Sequence, residues 1–146
     1  DMIIVKSERE IELMRRAGKI TAAARALAGE MVKPGVTTRE IDKAVFHFIR
    51  SQGAEPSFLN YNGYPASVCV SVNDEIIHGI PGPRVLKEGD IVSVDVGAFL
   101  AGFHGAAEYL FQLALLVERC DIAAYRGLRC IEKIPDFRHG DASLFF

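Results

Sequence analysis

The chain has no excess of basic residues, no long apolar run and few cysteines, and each shortage removes a class of function. Its 17 Lys and Arg stand against 19 Asp and Glu, a formal net charge of −2. There is thus no basic stripe of the kind that neutralises nucleic-acid phosphates. No apolar stretch approaches the roughly 20 residues of a membrane-spanning helix. Neither nucleic acid nor a membrane is an expected partner. The opening Asp1-Met2-Ile3-Ile4-Val5-Lys6 lacks the apolar core of a signal peptide. Cys69, Cys120 and Cys130 are an odd number without Cys-x-x-Cys spacing, which argues for free thiols in a reducing cytoplasm.

What is present suits an ordinary globular protein: 146 residues, 49% hydrophobic and 25% charged, enough for one domain spanning residues 1–146. Ser7-Glu8-Arg9-Glu10 is a capping box. Behind it Ile11, Met14, Ala17, Thr21, Ala24 and Ala28 recur at helical spacing until Lys33-Pro34-Gly35. Thr37-Thr38-Arg39-Glu40 is a second capping box, followed by the stripe Ile41, Ala44, Val45, Phe48 and Ile49, which Gly53 ends. Pro56 to Pro65 reads as a loop. Ser67–Val72 alternates as a strand, Asn73-Asp74 as a turn, and Glu75–Ile80 as a second short strand closed by Pro81-Gly82-Pro83.

Gly89 to Gly97 is the central strand. Alternation puts Val92, Val94 and Val96 on one face and Ile91, Ser93, Asp95 and Gly97 on the other. A carboxylate in so apolar a strand needs a cation or hydrogen-bond donors to meet it. Asp95 is therefore either the floor of a polar cleft or a structural acceptor. A hairpin through Leu100-Ala101-Gly102 leads into Gly105–Phe111, and Leu113 to Leu128 returns to helical character. This order predicts an α+β domain, an antiparallel sheet covered by helices. A faint repeat lays Ala22-Ala23, Arg25 and Leu27 on Ala123-Ala124, Arg126 and Leu128. The apolar ending Leu144-Phe145-Phe146 reads as a core segment cut short.

Tyr61-Asn62-Gly63-Tyr64-Pro65, Ser67-Val68-Cys69, Val72-Asn73-Asp74-Glu75, His78-Gly79-Ile80-Pro81, Gly89-Asp90-Ile91-Val92, Asp95-Val96-Gly97 and Gly102-Phe103-His104-Gly105 stand in one order and spacing. Together they resemble the type I methionine aminopeptidases, over about residues 2–105 and more weakly over 113–141. The resemblance implies the first half of a pita-bread (creatinase/aminopeptidase) fold. It also implies divalent cations of the Co, Mn, Fe or Zn class, removal of the first methionine from nascent chains or Met-peptides, and a cytoplasmic setting. By resemblance, Asp95 is the first metal-binding aspartate and His78 a catalytic residue that hydrogen-bonds substrate near the scissile amide. Tyr61, Tyr64 and Cys69 would line the pocket for the methionine side chain. Aromatic faces and a thiol suit a flexible thioether.

The chain departs from that pattern where the family places its second aspartate, eleven residues after Asp95; here the residue is Ala106. A methyl cannot hold a cation, and the family's remaining ligands are expected further along than this sequence runs. The expectation is an aminopeptidase-like domain truncated or altered after residue 105, its second half largely missing and its hydrolysis lost. Glu108 is a substitute ligand only if a register slip of two residues brings it opposite Asp95. Three readings stay open: an altered metallopeptidase, a non-catalytic domain that binds peptide N-termini or a protein partner, and a remnant without a role. A homodimer is one way to supply a missing half.

Overall fold

The computed structural model describes residues 5–112, with side chains through 106. These residues fall within one unit, Asp1–Leu115. The helix expected at Leu113–Leu128, the second copy of the repeat and the apolar ending lie outside the described residues. So does most of the far end of the single domain expected over 1–146.

Both capping boxes form. Helix α1 (Glu8–Met31) starts at Ser7, whose side chain accepts from the Glu10 amide while the Glu10 carboxylate takes the Ser7 amide at 2.7 Å. Helix α2 (Thr38–Ser51) repeats the arrangement with Thr37 and Glu40. Each box meets two of the amides that a helix start leaves without partners. The stripes bury as their spacing requires: Ala17, Thr21, Ala24 and Ala28 on α1, and Thr38, Ile41, Val45 and Ile49 on α2.

The sheet is antiparallel around β3 (Ile91–Leu100). Along one edge of β3 lie β2 (Val68–Val72) and the two residues of β1 (Glu55–Pro56); β4 (Phe103–Gln112) pairs along the other. The expected loop at Pro56 is thus corrected: Pro56 pairs with Ala98, a place open to proline at the end of a sheet. Val68, Val70 and Val72 face Val96, Val94 and Val92 across the ladder. This valine face forms one core with Ala24, Ala28, Ile41, Val45 and Ile49. The predicted antiparallel sheet covered by helices is what forms.

The second short strand expected at Glu75–Ile80 is absent; those residues form a loop. Its start is turned away because the Glu75 carboxylate takes the Val72 amide at 2.8 Å. His78 adopts a φ of 57°, which no extended strand accommodates. Further along, Gly79 meets the middle of β2, its carbonyl accepting from the Val70 amide at 2.9 Å and its amide donating to Ser71 Oγ at 3.0 Å.

Candidate functional site

The site is built on the face of β3 opposite the valines. Asp95 stands there half-buried, directly across from Cys69 on β2, with Ser71 across from Ser93 in the next row. The row above carries Gly97. A Cβ at that position would come within 2.8 Å of the Ser57 Cβ and 3.0 Å of Phe58 Cε1. Only glycine therefore lets residues 57–58 lie flat on the strand.

From there the chain closes a small loop over this face. Phe58 O accepts from the Tyr61 amide at 3.0 Å, and Tyr64 O from the Asn60 amide at 2.8 Å. Asn60, Asn62 and Gly63 all have positive φ, the conformation asparagine and glycine tolerate best. The loop ends at Tyr64, whose hydroxyl lies 2.9 Å from Val68 O and 3.2 Å from Gly79 O and donates its hydrogen between them. Burial, then the adjacent Cys69, and more distantly Asp42 and Asp95, push the Tyr64 phenol above its ordinary range. The phenol stays protonated and remains a donor.

The sequence-derived residues are thus partly gathered. Tyr64, Cys69 and Asp95 share one small region, and His78 adjoins the Gly79 carbonyl that Tyr64 engages. Tyr61 and His78 both present themselves to solvent, Tyr61 with 70% of its surface exposed. Cys69 is buried and forms no disulfide among the described residues. Around His78 the loop exposes Ile76, Ile77 and Ile80.

The register corrects the reading of Glu108. No slip is needed: Asp95 already pairs with Glu108, while Ala106 pairs with Gly97. Glu108 and Ala106 accordingly occupy one face of β4. Among the described residues no group of three or more His, Cys, Asp or Glu converges in a way that could hold a metal ion. Catalytic cations are held by about three protein groups with a position left open, so the described donors do not fit a resident catalytic pair.

Three contributors escaped sequence reading. Asp42 on α2 accepts the Ser67 amide at 2.7 Å and the Val68 amide at 3.3 Å, fixing the entry into the strand that carries Cys69. Its only signal was a carboxylate beside the stripe of an amphipathic helix. Thr21 lay within the predicted stripe, yet its hydroxyl serves the hairpin: it accepts from the Ala98 amide at 3.1 Å and donates to Gly105 O at 2.8 Å. His104 lies 2.9 Å from Ser57 Oγ through Nδ1 and packs on Phe99 with ring centres 4.5 Å apart.

Comparison with known proteins agrees with this geometry. The profile of metallopeptidase family M24 matches residues 12–131. Methionine aminopeptidase 1 of Bacillus subtilis (strain 168) is 45% identical over 135 residues, which cover 88% of this chain and 54% of that protein. The methionine aminopeptidase of Clostridium perfringens is 49% identical over 120 residues, 82% of this chain and 48% of the relative. Among solved structures, methionine aminopeptidase from Thermotoga maritima superposes with a TM-score of 0.76 at 40% identity, covering 80% of this chain and 47% of that one. The chain spans about half the length of the relatives it matches.

Proposed function

The chain belongs to metallopeptidase family M24, and from that premise we propose that its cleft face receives the N-terminal methionine of a peptide. In this reading Tyr61, Tyr64 and Cys69 receive the thioether side chain, and His78 hydrogen-bonds the adjoining amide. The observation that carries it is the meeting of Tyr64 with both Cys69 and the Gly79 carbonyl, which joins the aromatic loop, β2 and the His78 loop at one point. Nascent chains or Met-peptides are the partners, and a cytoplasmic setting suits a cysteine held outside any disulfide. Among the described residues no helix is long and apolar enough to cross a membrane.

For the family's metal, Asp95 is the ligand we assign, with Glu108 in register across from it. Such ions polarise a carbonyl and lower the pKa of a bound water. Among the described residues two carboxylates fall short of the donors a catalytic ion requires, and on that ground we propose that this chain by itself binds methionyl N-termini without hydrolysing them.

The test is calorimetric titration with Met-Ala-Ser, alone and with cobalt, manganese or iron(II), alongside a turnover assay. The expected result is saturable binding, weakened in His78→Ala, and no released methionine. Turnover that His78→Ala abolishes would overturn the non-catalytic part. Absence of peptide binding under every condition would overturn the whole reading.

A second reading is favoured by Ile76, Ile77 and Ile80, exposed at 87%, 60% and 62% on one loop. That loop is tied down by Glu75 to Val72, by Gly79 to β2 and by Arg84 to Glu75 at 3.2 Å. Fixed apolar side chains in water mark a surface for a protein partner.

A further inference from the structure

The loop that carries Tyr61 and Tyr64 is held at its far end by Tyr64, as described above. Its near end is held by a separate device. Ser57 donates its amide to Gly97 O at 2.9 Å, and its hydroxyl meets His104 Nδ1 at 2.9 Å. His104 pairs with Phe99, one row from the Gly97–Ala106 pair and two from Asp95. The hairpin end therefore reaches across β3 and grips the first residue of the aromatic loop. Among the described residues His104 is exposed, its ring against Phe99, so this contact is not an incident of core packing.

Resting on the peptide-binding reading above, we propose that His104 is a positioning residue: its hydrogen bond to Ser57 holds the Ser57–Tyr64 loop in the form that accepts a methionyl side chain. The loop's bonds from Tyr61 to Phe58 and from Asn60 to Tyr64 close it internally but do not seat its near end on the sheet. Seating comes from Gly97, which lets Ser57 approach, and from His104, which fixes the Ser57 hydroxyl. Tyr61 has 70% of its surface in water, so the anchors at either end decide where its ring stands. Binding a side chain to a loop that must first be ordered costs affinity, and a pre-seated loop avoids that cost.

The experiment compares the unmodified chain with His104→Ala, His104→Asn, Ser57→Ala and the His104→Ala/Ser57→Ala pair. Asparagine offers a polar atom near the position of Nδ1 but no ring for Phe99, so it separates the hydrogen bond from the ring contact. Amide hydrogen exchange is read at Ser57, Asn60, Tyr61 and Tyr64, and calorimetry gives the Kd for Met-Ala-Ser. Tyrosine fluorescence is a third readout, in a chain without tryptophan. His104→Ala and Ser57→Ala should each speed loop exchange and weaken peptide binding about five- to tenfold, the worth of one hydrogen bond. The pair should be no worse than either alone, and His104→Asn should restore most of both.

Unchanged exchange in His104→Ala would overturn the proposal, as would a loss that His104→Asn fails to recover. Faster exchange with an unaltered Kd would overturn the positioning role. Should the unmodified chain bind no Met-Ala-Ser, the functional reading and the affinity claim fall together, while exchange in the same variants still decides whether His104 seats the loop.

Discussion

Thr21 on the first helix donates its hydroxyl hydrogen to the carbonyl of Gly105 at 2.8 Å, across 84 residues of sequence. The same oxygen accepts the Ala98 amide at 3.1 Å, so one buried hydroxyl serves both strands of the hairpin. Thr21→Val keeps the shape and removes both bonds. It should lower stability by about 1–3 kcal/mol, the cost of leaving buried backbone groups without partners. Urea unfolding followed by circular dichroism measures it.

Gly105 is the other half of this contact. A Cβ there would stand 2.7 Å from the Gly18 amide nitrogen and 2.8 Å from the Ala17 carbonyl carbon, both backbone atoms that cannot turn aside. Gly105→Ala must push α1 away from β4 and should cost about 1–3 kcal/mol. Gly18→Ala has nothing within 4 Å of its added Cβ and should not destabilise. An unfolding curve for Gly105→Ala that matched the unmodified chain would contradict this packing.

The turn between β3 and β4 holds Ala101 at φ 51° and Gly102 at φ 93°. Two positive φ values in a two-residue hairpin loop favour Asn-Gly, and alanine pays a steric penalty at the first of them. Ala101→Asn should therefore stabilise the protein by about 1 kcal/mol. A fall in midpoint denaturant concentration would show that the turn is not of this kind.

Tyr64 links stability to alkaline pH. Its folded-state pKa is raised, chiefly by burial and next by Cys69, so the folded state keeps a proton that the unfolded chain releases above about pH 10. The contribution is fully present below that pH and declines as pH rises beyond it. Tyr64→Phe should lose less stability between neutral and strongly alkaline conditions than the unmodified chain. Parallel slopes for the two proteins would count against the buried phenol.

At acid pH the sign reverses. The Glu40 carboxyl is held below its ordinary range, first by the Thr37 hydroxyl and then by the Thr37 amide. Its contribution is present above the unfolded carboxylate pKa of about 4.3 and is lost as pH falls through the lower folded value. Glu40→Gln preserves the capping geometry without a titrating group. Its thermal midpoint should fall less steeply below pH 4 than that of the unmodified chain, as scanning calorimetry would show.

Both capping boxes were legible in the sequence because their partners sit three residues apart and the bonds are local. The valine alternation of Val92, Val94 and Val96 was legible because a strand with one face in the core and the other only half-buried must alternate. The segment Glu75–Ile80 misled for a related reason. Its isoleucines have strand character, but the Glu75 carboxylate and the positive φ at His78 turn the backbone before a ladder can form. Asp95 stood out as a carboxylate in an apolar strand, whereas Asp42 stood out in nothing and His104 only as part of a shared motif, since the hydrogen bonds each makes reach residues distant in sequence.

By itself, then, the sequence determined α1 and α2 with their starts and the central strand with its two faces, which rest on neighbours along the chain, and, through its ordered motifs, the likeness to the type I methionine aminopeptidases. Tertiary structure alone decided the register that sets Asp95 against Cys69 and Glu108, the seat of Ser57 over Gly97, and the approach of α1 to Gly105. These depend on how closely two backbones can come when no side chain intervenes. That distance is fixed by packing among residues tens of positions apart, and no local pattern records it.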